Sequence, residues 1–417
     1  MNSSRRQFIR GTIGSSALVS LTPTMPDFLL ASAAQASRSR GEKILVVVQL
    51  SGGNDGLNTV IPFAHDAYQR NRFQTRIGAQ QVLRISDDIG LHPALAGFSE
   101  LLEQGQLSVL QGIGYPNPNR SHFESMDIWH TARRAEDEVS GAIGAGRSRG
   151  WLGRALDRSA TDRGHDVPGL HLGAGRQPLA LAAEKVRVPS ATSLRRFRIE
   201  VGSDQQLRRS IDGLTSIERE KADPLVSFLQ RSAAGAISAS RRLQDAVKNH
   251  QTPVAYPGSE LARQLRSVAQ LIDAGLGTRI YYVSLGGFDT HSKQAQAHAG
   301  LLRTLGDAIA AFMKDLTHQG HADRVLVMTF SEFGRRVREN ASGGTDHGAA
   351  APMFLVGGRV KPGLIGPHPS LDDLERGDLK FHTDFRQVYA GVLTHWLGVS
   401  ETRDILGGSF KPLQVSA

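Results

Sequence analysis

The sequence predicts an α/β fold, a mostly parallel central sheet flanked by helices, with a helical insert. Apolar runs rich in β-branched residues recur at Lys43–Leu50, Leu107–Gly112, Arg279–Leu285 and Arg324–Phe330. Their length suits strands, and their near-continuous apolar character suits strands buried on both faces. Each ends in a polar, glycine-bearing loop. Between the third and fourth runs, Ala299, Leu302, Leu305, Ile309, Phe312 and Leu316 fall at helical spacing. Strand, helix and strand in that order make a crossover unit whose two strands run parallel.

Taken in chain order, the amino terminus is a targeting segment ahead of the fold. Arg5-Arg6 precede a large apolar residue, Phe8, a weakly apolar stretch and the small-residue site Ala34-Gln35-Ala36. This is the layout of a twin-arginine signal peptide over residues 1–36, cleaved after Ala36. Pro23, Pro26 and Asp27 interrupt the stretch, and a spanning helix needs roughly 20 predominantly apolar residues, so no permanent membrane anchor is expected. The expected partner is the twin-arginine translocation machinery, and the expected location periplasmic or secreted. Residues 37–417 then form the α/β domain. Asp204–His250 reads as largely helical and free of motifs, an insert over about 200–257, with a boundary at Asn249–Ser259 where Pro253 and Pro257 bracket a polar stretch. An amphipathic helix is expected from Phe385 to Leu397.

Composition excludes several chemistries. The chain has no cysteine, hence no disulfide, thiolate ligand or cysteine nucleophile. Its net charge is +9, yet the basic residues are dispersed, and an aromatic content of 6% offers little for base stacking. Nucleic acid is therefore not the expected partner. A cationic surface suits an anionic small-molecule or polymer substrate.

The chemistry-bearing residues lie where strands end, which is where open α/β sheets bind ligands. Asp55 follows the first run, Asp289-Thr290-His291 the third and Glu332 the fourth. Asp346-His347 sits in a glycine-rich loop, and His382 stands just ahead of the last helix. Three Asp and three His on separate loops suit one or two divalent ions, zinc or manganese, held by mixed carboxylate and imidazole ligands. Ser121, between the first acid and the later pairs, is the candidate nucleophile, with Arg120 to hold a substrate oxyanion. Ser121 also reads as the N-cap of a helix from His122 to Arg133, with Glu124 completing a capping box. The two roles are compatible.

The runs VVVQLSGGNDGLNTVIP from Val46, NRSHFESMDIWHTA from Asn119, GWLGRALD from Gly150, GGFDTH from Gly286, SEFGR from Ser331, GGTDHGAAAPMFLVGG from Gly343 and HTDFRQVYAGVLTHWLG from His382 resemble the bacterial exported family called domain of unknown function number 1501. That family is similar to the alkaline phosphatase and sulfatase superfamily. The resemblance implies an alkaline-phosphatase-like fold with metal ligands at Asp55, Asp289, Asp346, His347 and His382. The superfamily's Asp-x-x-x-His would place a histidine where Lys293 stands, so His291 must serve instead. A formylglycine precursor is absent, which favours phosphoester over sulfate-ester hydrolysis. Residues 119–123 also resemble the nucleophile region of the cofactor-independent phosphoglycerate mutases. Two functions follow: a metal-dependent hydrolase or phosphoryl transferase on an anionic ester, or a non-catalytic exported binding or assembly protein that keeps the fold.

Changing Arg5 and Arg6 together to Lys should leave uncleaved precursor in the cytoplasm, read by fractionation and immunoblotting. Normal processing of the double-Lys protein would refute the twin-arginine assignment.

Overall fold

A computed structural model describes residues 42–134, 148–159, 168–186, 188–192 and 250–416. The signal segment 1–36 and most of the insert about 200–257 lie outside the described residues. Residues 250–258 have no regular structure.

In chain order the principal elements are β1 (Ile44–Ser51), α1 (Asp66–Asn71), α2 (Ala96–Glu103), β2 (Leu107–Gly114), α3 (His122–Thr131), α4 (Trp151–Ser159), β3 (Gly169–Leu172) and β4 (Ser190–Ala191). They continue with α5 (Glu260–Asp273), β5 (Ile280–Gly286), α6 (Gln294–His318), β6 (Val325–Ser331), β7 (Ala351–Val356), β8 (Gly363–Ile365), β9 (Thr383–Asp384) and α7 (Phe385–Gly391). These strands form one nine-stranded sheet in the order β8-β2-β7-β6-β1-β5-β3-β4, with β9 beside β2. β1 lies centrally and pairs in parallel with both β5 and β6. Only β7 runs against its neighbours, β2 and β6.

The four expected strands are present at β1, β2, β5 and β6, and the expected helix appears as α6. The last helix, α7, begins at the expected Phe385 and passes into a π-helical turn over Val392–Trp396. β3, β4, β7, β8 and β9 were not anticipated. All but β7 are short, and β7, though apolar throughout, has Pro352 at its second position, which reads against a strand.

The continuous apolar character of β1 follows from its place. Alternate strand residues face opposite sides. Val46, Val48 and Leu50 join the core shared with α2, α5 and α6. Leu45 and Val47 join the core shared with α3, α4 and α7. Helices therefore cover both faces, and functional loops are left to the sheet edges. The carboxyl ends of β1, β5, β6 and β2 open on one edge, the edge at which β7 begins, because β7 is the one reversed strand. Among the described residues no helix is long and apolar enough to cross a membrane.

Candidate metal centre

At that edge the turn after β1 runs against the segment after β5. Gly52 has φ +121°, and a Cβ there would stand 2.3 Å from the Asp289 backbone nitrogen. Only glycine permits this approach, and it brings the first and third loops into contact.

His122, Asp289 and His347 converge, their candidate ligand atoms all within 4.8 Å of one another. His122 Nε2 is 3.4 Å from Asp289 Oδ2, and His347 Nε2 is 3.1 Å from Asp289 Oδ1. His291 joins them, with Nε2 2.9 Å from both Asp289 Oδ1 and His347 Nε2. Asp346 stands behind His291, at 3.6 Å from its Nδ1.

Hydrogen bonds on the far side of two rings fix which nitrogens face inward. His347 Nδ1 is 2.8 Å from the Arg120 carbonyl. A carbonyl can only accept, so Nδ1 carries a proton there, and the ring turns Nε2 toward Asp289. His122 Nδ1 is 2.8 Å from Glu332 Oε1. That carboxylate is buried and also accepts the Gly52 N–H at 2.8 Å, so Nδ1 of His122 donates as well. Its Nε2 is buried without a hydrogen-bond partner. Burial alone would raise the Asp289 carboxyl, but hydrogen bonding and the charge of Arg335 outweigh it and bring the group down to about 2. Two imidazole Nε2 atoms facing one carboxylate, each ring held from behind by an acceptor, are the donor set of a divalent-cation site. The residues fit a metal ion.

The structure thus brings together Asp289, His291, Asp346 and His347 from the expected ligands, with Glu332 beside them, and adds His122. Asp55 and His382 are elsewhere. Asp55 is wholly buried with Arg72, whose Nη2 is 3.0 Å from Oδ1, and it also accepts from Gln294 Nε2. Its oxygens are engaged within the protein. His382 packs on Gly112, and its two ring nitrogens lie 3.0 Å from Thr383 Oγ1 and 2.8 Å from the Pro367 carbonyl. Ser121 precedes His122 at the N-cap of α3 and is exposed. Its hydroxyl makes no capping hydrogen bond, so the expected capping box does not form. Arg120 is ion-paired to the buried Asp378.

The sequence profile of the family described as "Protein of unknown function (DUF1501)" matches residues 42–376. No curated protein matches the chain in sequence. Among solved structures it is similar to Ps i-CgsB in complex with k-i-k-neocarrahexaose, at TM-score 0.41 and 10% identity over 88% of this chain and 75% of that one. It is similar to the lipoteichoic acid synthase LtaP from Listeria monocytogenes, at TM-score 0.39 and 11% identity over 89% and 76%. A protein in the alkaline phosphatase superfamily from Vibrio parahaemolyticus gives TM-score 0.40 and 8% identity over 92% and 76%.

The Asp55–Arg72 pair gives a test by pH. Burial pushes the Asp55 carboxyl up, but the Arg72 charge and hydrogen bonds prevail and hold it below its ordinary value. A depressed carboxyl contributes stability above its unfolded value and loses it as pH falls through the folded one. Asp55→Asn should therefore cost about 3–5 kcal/mol at neutral pH, since it leaves a buried guanidinium unpaired. In denaturant titrations that difference should shrink below about pH 4. A difference that is independent of pH would contradict the pairing.

Proposed function

The chain belongs to the family whose profile spans residues 42–376, and on that premise we propose an exported, metal-dependent hydrolase or phosphoryl transferase acting on an anionic ester, a phosphoester by preference. The observation that supports it most is the inward turn of His122 Nε2 and His347 Nε2 onto Asp289, with Glu332 and the Arg120 carbonyl behind them.

His122, Asp289 and His347 would hold the ion, with His291 adjoining; mixed nitrogen and oxygen donors suit zinc or manganese. A divalent ion there would neutralise ester oxygens and make a nearby hydroxyl or water a better nucleophile. The protein's own groups do the rest. Ser121 offers an uncapped, exposed hydroxyl one residue before His122. At the amino end of α3 it also gains from the helix dipole as negative charge develops. Its oxygen attacks phosphorus as its proton passes to solvent, and the alcohol oxygen leaves with its electron pair and takes up a proton from solvent. Water or a second alcohol then gives up a proton and takes the phosphoryl group, which returns Ser121 to its hydroxyl form. Arg120, whose guanidinium is paired with Asp378, is the group assigned to a non-bridging oxygen in this proposal. Export by the twin-arginine route belongs to the same proposal.

Elemental analysis of protein purified without chelator should find one or two divalent ions, zinc or manganese. Glu332→Gln, which changes only the group behind His122, should weaken metal binding roughly 10- to 100-fold. On a phosphoester substrate Ser121→Ala should lower turnover by several orders of magnitude with metal content unchanged. Bound metal with no turnover on phosphomonoesters, phosphodiesters or sulfate esters would favour the non-catalytic binding protein instead.

A further inference from the structure

A cavity of about 980 Å³ opens beside the metal cluster, and its wall includes His122, Asp289 and Glu332. The volume is that of a site for an organic ligand. Its floor is polar where the strand pattern asks for apolar residues, since Gln49 is the one polar side chain in the run Ile44–Leu50. Gln49 Oε1 accepts from the Tyr282 hydroxyl and lies 2.9 Å from His130 Nε2. Gln49 Nε2 gives one N–H to Ser51 Oγ at 2.7 Å. The Tyr282 proton is spent on Gln49, so His130 Nε2, 3.1 Å from Tyr282 Oη, must carry the hydrogen that binds both oxygens. Burial pushes the His130 imidazole down to about 3, and the ring is uncharged at neutral pH. Held in place by His130 and Tyr282, Gln49 and Ser51 therefore present hydrogen-bonding groups without net charge.

The rim differs. Phe123, beside His122 in the first turn of α3, is 86% exposed and is one of only two large apolar side chains so exposed among the described residues. Asp127, one turn along α3, and Arg176 and Gln177, in the loop after β3, line the same cavity. An exposed aromatic face, a floor of neutral polar groups and a wall that mixes Asp127, Arg176 and Gln177 with the apolar Met126 and Leu179 match one amphipathic ligand chemistry well.

We infer that this cavity receives the alcohol moiety of the ester and that the moiety is a sugar-like, polyhydroxylated ring. Ring hydroxyls both donate and accept, so they can satisfy Gln49, Ser51 and the rim together, while the C–H face of the ring packs on Phe123. A plain alkyl or aryl group would cover the floor and leave its polar groups unpaired. A second anionic group would meet Arg176 together with Asp127, one charge of each sign. The inference rests on the proposed ester chemistry for the anionic end of the ligand.

Calorimetric titration of the zinc-supplemented, full-length protein separates the two claims. The probes are inorganic phosphate, ribose 5-phosphate, glucose 6-phosphate and N-acetylglucosamine 6-phosphate. At least one sugar phosphate should bind about ten-fold or more tightly than inorganic phosphate. Phe123→Ala should remove most of that gain and leave the affinity for inorganic phosphate as it was, while Phe123→Tyr keeps the gain. Phosphate binding with no advantage for any sugar phosphate, or an advantage that survives Phe123→Ala, overturns the subsite alone. Failure of every probe to bind overturns both the subsite and the ester-hydrolase reading.

Discussion

Arg335 is the side chain on which the candidate site depends. It is 1% exposed and stands in the loop after β6. Its Nε donates to the Gly53 carbonyl at 2.7 Å, Nη1 to the Thr345 carbonyl at 2.7 Å, and Nη2 to the carbonyls of Gly52 and Phe288. Nη2 also reaches Asp289 Oδ1 at 2.7 Å. One planar cation thereby fastens the loops that follow β1 and β5, and the segment before His347, to the loop that follows β6. Backbone carbonyls withdrawn from water need donors, and only the five-donor fork of arginine serves several at once. The buried charge is met by Asp289, and the same contact fixes the carboxylate at the centre of the cluster.

Arg72 repeats the device one layer deeper. It donates to the Val337 and Arg336 carbonyls at 2.7 and 2.9 Å and pairs with Asp55. The segment 335–337 is thus held at its start by the loop after β1 and at its end by Arg72. Two carboxylates that follow neighbouring strands acquire different tasks from this arrangement. Asp55 is closed in and balances a structural guanidinium. Asp289 is about half exposed and faces imidazoles as well as Arg335. Catalytic and ligand-binding groups carried on loops hold their geometry only when such supports restrict the loops.

The fold was legible in the sequence to the extent that burial leaves a pattern. β1, β5 and β6 are covered by helices on both faces, so each is a continuous apolar run, and α6 shows its buried face at helical spacing. β7 is an apolar run as well, but Pro352 near its start reads against a strand. For the site, position at the strand ends grouped Asp289, His291, Asp346 and His347, which lie together on one edge. It did not tell which side chains turn inward. Asp55 looked equivalent to Asp289 because its partner, Arg72, lies 17 residues away in sequence, on a helix end that periodicity does not mark. His382 looked equivalent to His347, yet its ring is committed to Gly112 and Pro367. His122 was overlooked beside Ser121, and the acceptor role of Glu332 becomes visible only once α3 is packed against the loop after β6.

The account stands on a cation held by His122, Asp289 and His347, and anomalous diffraction from crystals grown with zinc examines that directly. It predicts a peak at the zinc absorption edge bounded by His122 Nε2, the Asp289 carboxylate and His347 Nε2, with the Asp55–Arg72 pair intact. A zinc peak liganded by Asp55 and His382, or no peak near Asp289, would contradict it.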